Sequence, residues 1–207
     1  MLISLYYMSE TIKIQLPESI ADITLNQYQQ FIKLQEKADT LSEQGMAERL
    51  ISLFTGIKKQ DVKKIVISDY ESIIKQITDA CSVPSKFQQR FKLNGIEYGL
   101  IPNLNEISQG EYIDLTTLGS DMDEMDKVMA ILFRPIVKED SFGNYSIEAY
   151  RDITERSNEM LNCPMHIVNG SLLFFLNLSK DLKNCMEKYT AEVVQRNKRQ
   201  ATSLNGD

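Results

Sequence analysis

Two short alternating runs joined by Asn94-Gly95 constrain this chain more than any other feature. Residues 87–93 read FQQRFKL and residues 96–101 read IEYGLI. Asparagine and glycine reach positive φ at little cost, which a type I′ turn requires at both central positions. The segment therefore predicts a β-hairpin, ended by Pro102, and excludes an all-helical fold.

Helical signals surround it. TIKIQL at residues 11–16 alternates as a short strand that Pro17 stops. Thr24 with Gln27 has the spacing of a capping box, in which the side chains at N-cap and N3 satisfy each other's orphan amides. It opens a helix of about five turns, to near Leu41. A second helix spans 46–54, with Leu50, Ile51 and Phe54 on one face and Gly56 as its stop. Residues 58–65 form a further short turn. Ser68 with Glu71 repeats the cap before a stripe of Tyr70, Ile73, Ile74 and Ile77. Ser108 with Glu111 opens a short helix to Leu118. A strong helix follows from Asp121, with Met125, Val128, Met129 and Leu132 on one face and Pro135 at its end.

Residues 136–150 predict a second hairpin around Gly143-Asn144, and 151–161 a polar helix. Pro164 suits the first turn of a last helix, carried by Met165, Val168, Leu172, Phe175, Leu176 and Leu182. Leu173 and Phe174 widen its stripe until the helix reads as buried nearly all round. The expected class is α+β, mostly α-helical: helical layers with one or two small antiparallel β-hairpins. The expected regions are an N-terminal strand and helical region over 8–82, a β-hairpin plus helical region over 84–188, and a flexible polar tail over 189–207. Met8 reads as the natural start, with 1–7 as an upstream extension.

Few residues offer chemistry. His166 is the only histidine, and the three cysteines, Cys81, Cys163 and Cys185, are too few and too odd in number for a disulfide framework. A zinc site needs three or four ligands, and Cys163-Pro-Met-His166 offers two. As a nucleophile and base the same pair lacks a nearby orienting group. Asp121 to Asp126 resembles the start of a calcium loop. It fails at Met125, at Asp126 where glycine is needed, and at Leu132 where glutamate is needed. No phosphate-binding glycine loop occurs. Catalytic residues, metal ligands and a cofactor are accordingly not expected.

Charge is more informative. The net charge is −6, yet residues 93–126 hold eight acids and no Lys, Arg or His, so the rest of the chain is slightly basic. An acidic balance disfavours nucleic acid, apart from a small basic cluster at 196–199. No apolar run is long enough for a membrane span. A single-sign surface steers a basic partner, and equally it keeps a protein soluble. With adaptable methionines on the same helix, the partner-binding candidates are Glu111, Asp114, Asp121, Asp123, Glu124, Asp126, Met122 and Met125.

Asn94-Gly95, Tyr98, Pro102, Gly110-Glu111-Tyr112-Ile113-Asp114, Phe133-Arg134-Pro135, Gly170 and Phe174-Phe175 carry a resemblance over residues 85–185. This stretch resembles small proteins of tailed bacteriophages encoded among the virion structural and tail genes, similar in size to tail assembly chaperones and baseplate accessory proteins. The resemblance implies a non-enzymatic protein that assists tail or baseplate assembly by binding a phage tail or other virion structural protein. It would work in the host cell cytoplasm. The alternative is a stoichiometric virion component at the tail or head–tail junction. Homo-oligomerisation is left open.

Overall fold

A computed structural model describes residues 2–7, 10–65, 67–81, 85–103, 107–119, 121–151 and 153–174. Cys185, the polar tail and the side chain of the Ser68 cap lie outside the described residues. The fold is mostly helical α+β.

The chain begins with an antiparallel pair, β1 (Leu2–Tyr7) and β2 (Glu10–Gln15). Residues 2–7, expected as an extension, thus have a partner strand. Helix α1 (Leu25–Gln35) opens on the expected box: Gln27 N donates to Thr24 Oγ1 at 3.2 Å, and Thr24 N to Gln27 Oε1 at 3.0 Å. It is shorter than its five-turn expectation, because the chain tightens into a 3₁₀ turn at Ala38–Thr40. Helix α2 (Glu43–Thr55) is longer than expected, capped by Ser42 and stopped by Gly56 at φ 74°. The one-turn α3 (Lys59–Val62) and α4 (Ile67–Cys81) complete the first layer; α4 begins at Ile67, so Ser68, expected as its cap, lies within the helix.

The expected hairpin is β3 (Arg90–Leu93) and β4 (Ile96–Leu100), with Asn94 at φ 51° and Gly95 at φ 82°. Helix α5 (Gln109–Leu118) begins at the Ser108–Glu111 box. The helix expected from Asp121 is instead a 3₁₀ turn at Met122–Glu124 followed by α6 (Met125–Leu132). Pro135 does not end that helix. The chain passes directly from Leu132 into β5 (Phe133–Glu139), where Pro135 sits opposite Tyr98 and accepts from Glu148 N at 2.9 Å. Proline can occupy such a ladder position only where no donor is needed from it. Strand β6 (Tyr145–Ile147) closes a four-stranded antiparallel sheet in the order β3-β4-β5-β6. Then come α7 (Thr154–Met160) and a helix over 165–174, here α8. Along α8, Met165, Ile167 and Val168 are buried, but Leu173 faces solvent, so the helix is not buried all round.

Alternation sorts the sheet into two faces. Phe91, Leu93, Tyr98, Leu100 and Phe133 point into the core, where Phe91 stacks on Tyr98 and meets Phe133 edge-on. The buried apolar residues form one cluster running from Ile14 and Ile23 through Ile51, Ile73 and Met129 to Met165 and Val168. Backbone bonds stitch its ends together. A helix leaves its first amides without intrahelical partners. In α1, Leu25 N donates to Cys163 O at 2.8 Å and Asn26 N to Leu161 O at 2.9 Å, while Met165 N donates to Ile23 O at 2.8 Å.

Candidate functional site

The acidic segment does not form one surface. Glu111 is buried beneath α5, where it closes the capping box and pairs with Arg134 of β5. One oxygen accepts from Arg134 Nη2 at 2.5 Å and the other from Ser108 N at 2.6 Å. Burial pushes the Glu111 carboxyl up, but the bonds from Ser108 and the guanidinium outweigh it and hold the group below the usual carboxylate range. Asp114, one turn on, accepts the Tyr150 hydroxyl. Burial and that carboxylate together push Tyr150 up to about 12. Arg134 lies under the Tyr150 ring, 5.9 Å from its centroid.

Asp121, Asp123, Glu124 and Asp126 belong to another place in the fold. Asp121 caps the 3₁₀ turn, Asp123 pairs with Lys33 at 3.2 Å, and Glu124 pairs with Lys127. Gln29 of α1, itself buried, donates to Met122 O at 2.9 Å and Asp123 O at 3.2 Å, which anchors the turn to the first layer. Asp126 and Met125 are buried and Met122 is half-buried. Of the eight partner-binding candidates, Glu111, Asp126 and Met125 therefore cannot meet a partner in this conformation. Asp121 and Asp123 are exposed. Runs of acids in sequence became separate caps and pairs because helix starts and the 3₁₀ turn each take the nearest carboxylate.

Cys163 is fully buried, and desolvation pushes its thiol up to about 12, the opposite of what activates a nucleophile. His166 is half-buried and burial lowers its pKa against the pull of Asp22. Among the described residues no group of three or more His, Cys, Asp or Glu is placed to hold a metal ion. No helix among them is long and apolar enough to cross a membrane.

The hairpin expected around Gly143-Asn144 is β5–β6, and what the sequence reading missed is the surface at its tip. Its tip presents Phe142 with 89% of its surface exposed, and Val137 on β5 is 63% exposed. The tip is held from within and from outside. Asp140 accepts from Phe142 N and Asn144 N, both at 2.9 Å, and from the Asn144 side chain, and these bonds hold its carboxyl below the usual range. Arg90, on β3 at the far edge of the sheet, reaches over to donate to Glu139 at 2.8 Å and to Gly143 O at 2.6 Å. Its guanidinium lies 4.3 Å above the Tyr145 ring. The Tyr145 ring beneath it lies this close to β4 only because residue 99 is glycine: a Cβ there would stand 2.4 Å from the ring. Tyr145 in turn donates to Leu100 O at 2.8 Å. Gly143 and Asn144 signalled the turn, but nothing local signals a clamp whose cation lies about fifty residues earlier.

Compared with known proteins, the chain matches no family model, no curated protein and no solved structure.

Proposed function

We propose that this protein assists assembly of a phage tail or baseplate by binding another tail protein, as a holder of its partner with no reaction of its own. The phage context comes from the residues of 85–185 quoted above. The observation that carries the binding role is Phe142. A large aromatic ring held in water costs solubility, and the backbone beneath it is already ordered by Asp140 and Arg90 before a partner arrives. Exposed aromatic side chains on ordered supports are the usual anchors of protein interfaces. The partner is a protein with an apolar pocket wide enough for a phenyl ring. Asp121 and Asp123 supply a second, charged contact for a partner with basic residues.

The test is co-production with tailed-phage tail proteins, followed by co-purification. Phe142→Ser should abolish co-purification while leaving the melting temperature of the isolated protein unchanged, and retention of the partner by the variant would overturn the reading. Mass spectrometry of purified particles separates the two roles. An assembly chaperone is absent from them and acts in the host cytoplasm, whereas a virion component is present in fixed copy number.

A further inference from the structure

A cleft of about 440 Å³ lies between α1 and α2, with the first residue of α3 in its wall. Gln30 and Leu34 line it from α1, and Arg49, Ser52 and Leu53 from α2, because side chains three and four residues apart share a helix face. Lys59 of α3 joins them. Arg49 is half-buried and Lys59 is exposed, so both cations are open to a ligand. Among the described residues no carboxylate lines the cleft, and neither cation has an ion pair. The nearby acids are engaged elsewhere. Glu48, next to Arg49, pairs with Lys63 at 3.9 Å and lies toward Tyr70 of α4. Asp61 pairs with Lys64 at 2.8 Å. Asp22 lines the neighbouring cleft, where its carboxylate accepts from Glu18 N at 2.9 Å and Ser19 N at 3.1 Å. The lining thus carries two positive charges and no negative one.

We infer that this cleft binds a small phosphomonoester, its phosphate held by Arg49 and Lys59 and its apolar body against Leu34 and Leu53. Charge sets the ligand class. A phosphomonoester carries about −2 at neutral pH, which matches the two cations, whereas a single carboxylate leaves one of them over. The donors agree with this. A guanidinium fork, an ammonium and the Ser52 hydroxyl face a group that has three strong acceptor oxygens. The walls set the rest of the ligand. Leu34 and Leu53 are half-buried, and a bare ion would leave both leucines and most of the volume to water. A cleft of this size lies within the range of small-ligand sites. The site needs no tail protein, and so stands apart from the assembly role proposed above.

The experiment uses the full chain at constant ionic strength, with phenyl phosphate as the probe and phenyl sulfate and inorganic phosphate as comparisons. Calorimetry reads the affinity, and NMR follows the Leu34 and Leu53 methyl resonances. Phenyl phosphate should bind saturably and shift both sets of methyls. It should bind at least about tenfold more tightly than phenyl sulfate, which has the same shape and a smaller charge. Inorganic phosphate, without the ring, should also bind more weakly. Arg49→Gln and Lys59→Gln should each weaken phenyl phosphate binding at least about tenfold at an unchanged melting temperature. Lys58→Gln removes an exposed cation just outside the lining and should change the affinity by less than about twofold. Three results would overturn the inference: no saturable binding, phenyl sulfate or inorganic phosphate binding as tightly as phenyl phosphate, or a loss from Lys58→Gln as large as that from Lys59→Gln. So would a Lys59→Gln variant that melts earlier but keeps its affinity, since the ammonium would then serve only the negative end of α2. Phe142→Ser should bind phenyl phosphate normally, so a failed co-purification and a failed titration report on different claims.

Discussion

Arg134 Nη2 stands 2.5 Å from Glu111 Oε1, and the two side chains, 8% and 6% exposed, tie the sheet to the first turn of α5. Breaking such a pair leaves one buried charge uncompensated. Glu111→Ala should therefore cost about 3 kcal/mol or more, read by urea unfolding. Glu111→Leu combined with Arg134→Met should recover most of that, apart from about 1 kcal/mol for the lost cap. The pH dependence has a definite sign. The folded carboxyl lies below its unfolded value, so its stabilisation is complete above about pH 4.3 and is lost as pH falls through the folded pKa. Glu111→Gln should flatten the acid limb of the stability curve, and an unchanged limb would remove this pair as its cause.

The Gly99–Tyr145 approach gives a steric prediction. Gly99→Ala drives a methyl against the Tyr145 ring and should destabilise by about 1–3 kcal/mol. Amide exchange at residues 140–145 should quicken, since the Tyr145 ring on which Arg90 rests must then shift. Adding Tyr145→Ala should make the second change cost less than it does alone, a coupling that a double-mutant cycle measures.

Cys163 should be inert to a thiol reagent in the native protein at pH 8, because its folded pKa is near 12 and none of its surface is exposed. It should react at the rate of global unfolding. Rapid native-state labelling, mapped to Cys163 by mass spectrometry, would reopen the thiol chemistry set aside above.

Among the acids, position decides the outcome of charge reversal. Asp121→Lys with Asp123→Lys should cost no more than about 2 kcal/mol, since both groups are exposed, a surface pair contributes little, and the loss is mainly the Asp121 cap. Asp126→Lys should unfold or severely destabilise the chain, because the new cation would be buried. Equal effects on the melting temperature would contradict the burial of Asp126.

What could be read from sequence was local. The Thr24 and Ser108 boxes and the Asn94-Gly95 turn formed where spacing placed them, because each is complete within four residues. The direct passage from Leu132 into β5 was missed, because Phe133, Arg134 and Pro135 gain their strand partners from β4, more than thirty residues earlier. Burial of Glu111 was missed for a related reason. Its capping role was visible and its Arg134 partner was not, so a structural carboxylate read as a surface one. Phe142 carried no periodic signal at all, since a single aromatic in a turn has no pattern to break.

The stitch between residues 23–25 and 163–165 also fixes an order of events during synthesis. The first helix lacks acceptors for Leu25 N and Asn26 N until residues 161–163 exist, and the core lacks Met165 and Val168 until they follow. Closing a loop of well over a hundred residues is the slowest kind of contact to form. At about 5–20 residues per second, the ribosome holds the N-terminal half waiting for several seconds or more with its apolar face uncovered. Apolar surface left uncovered for that long is the kind that chaperones bind.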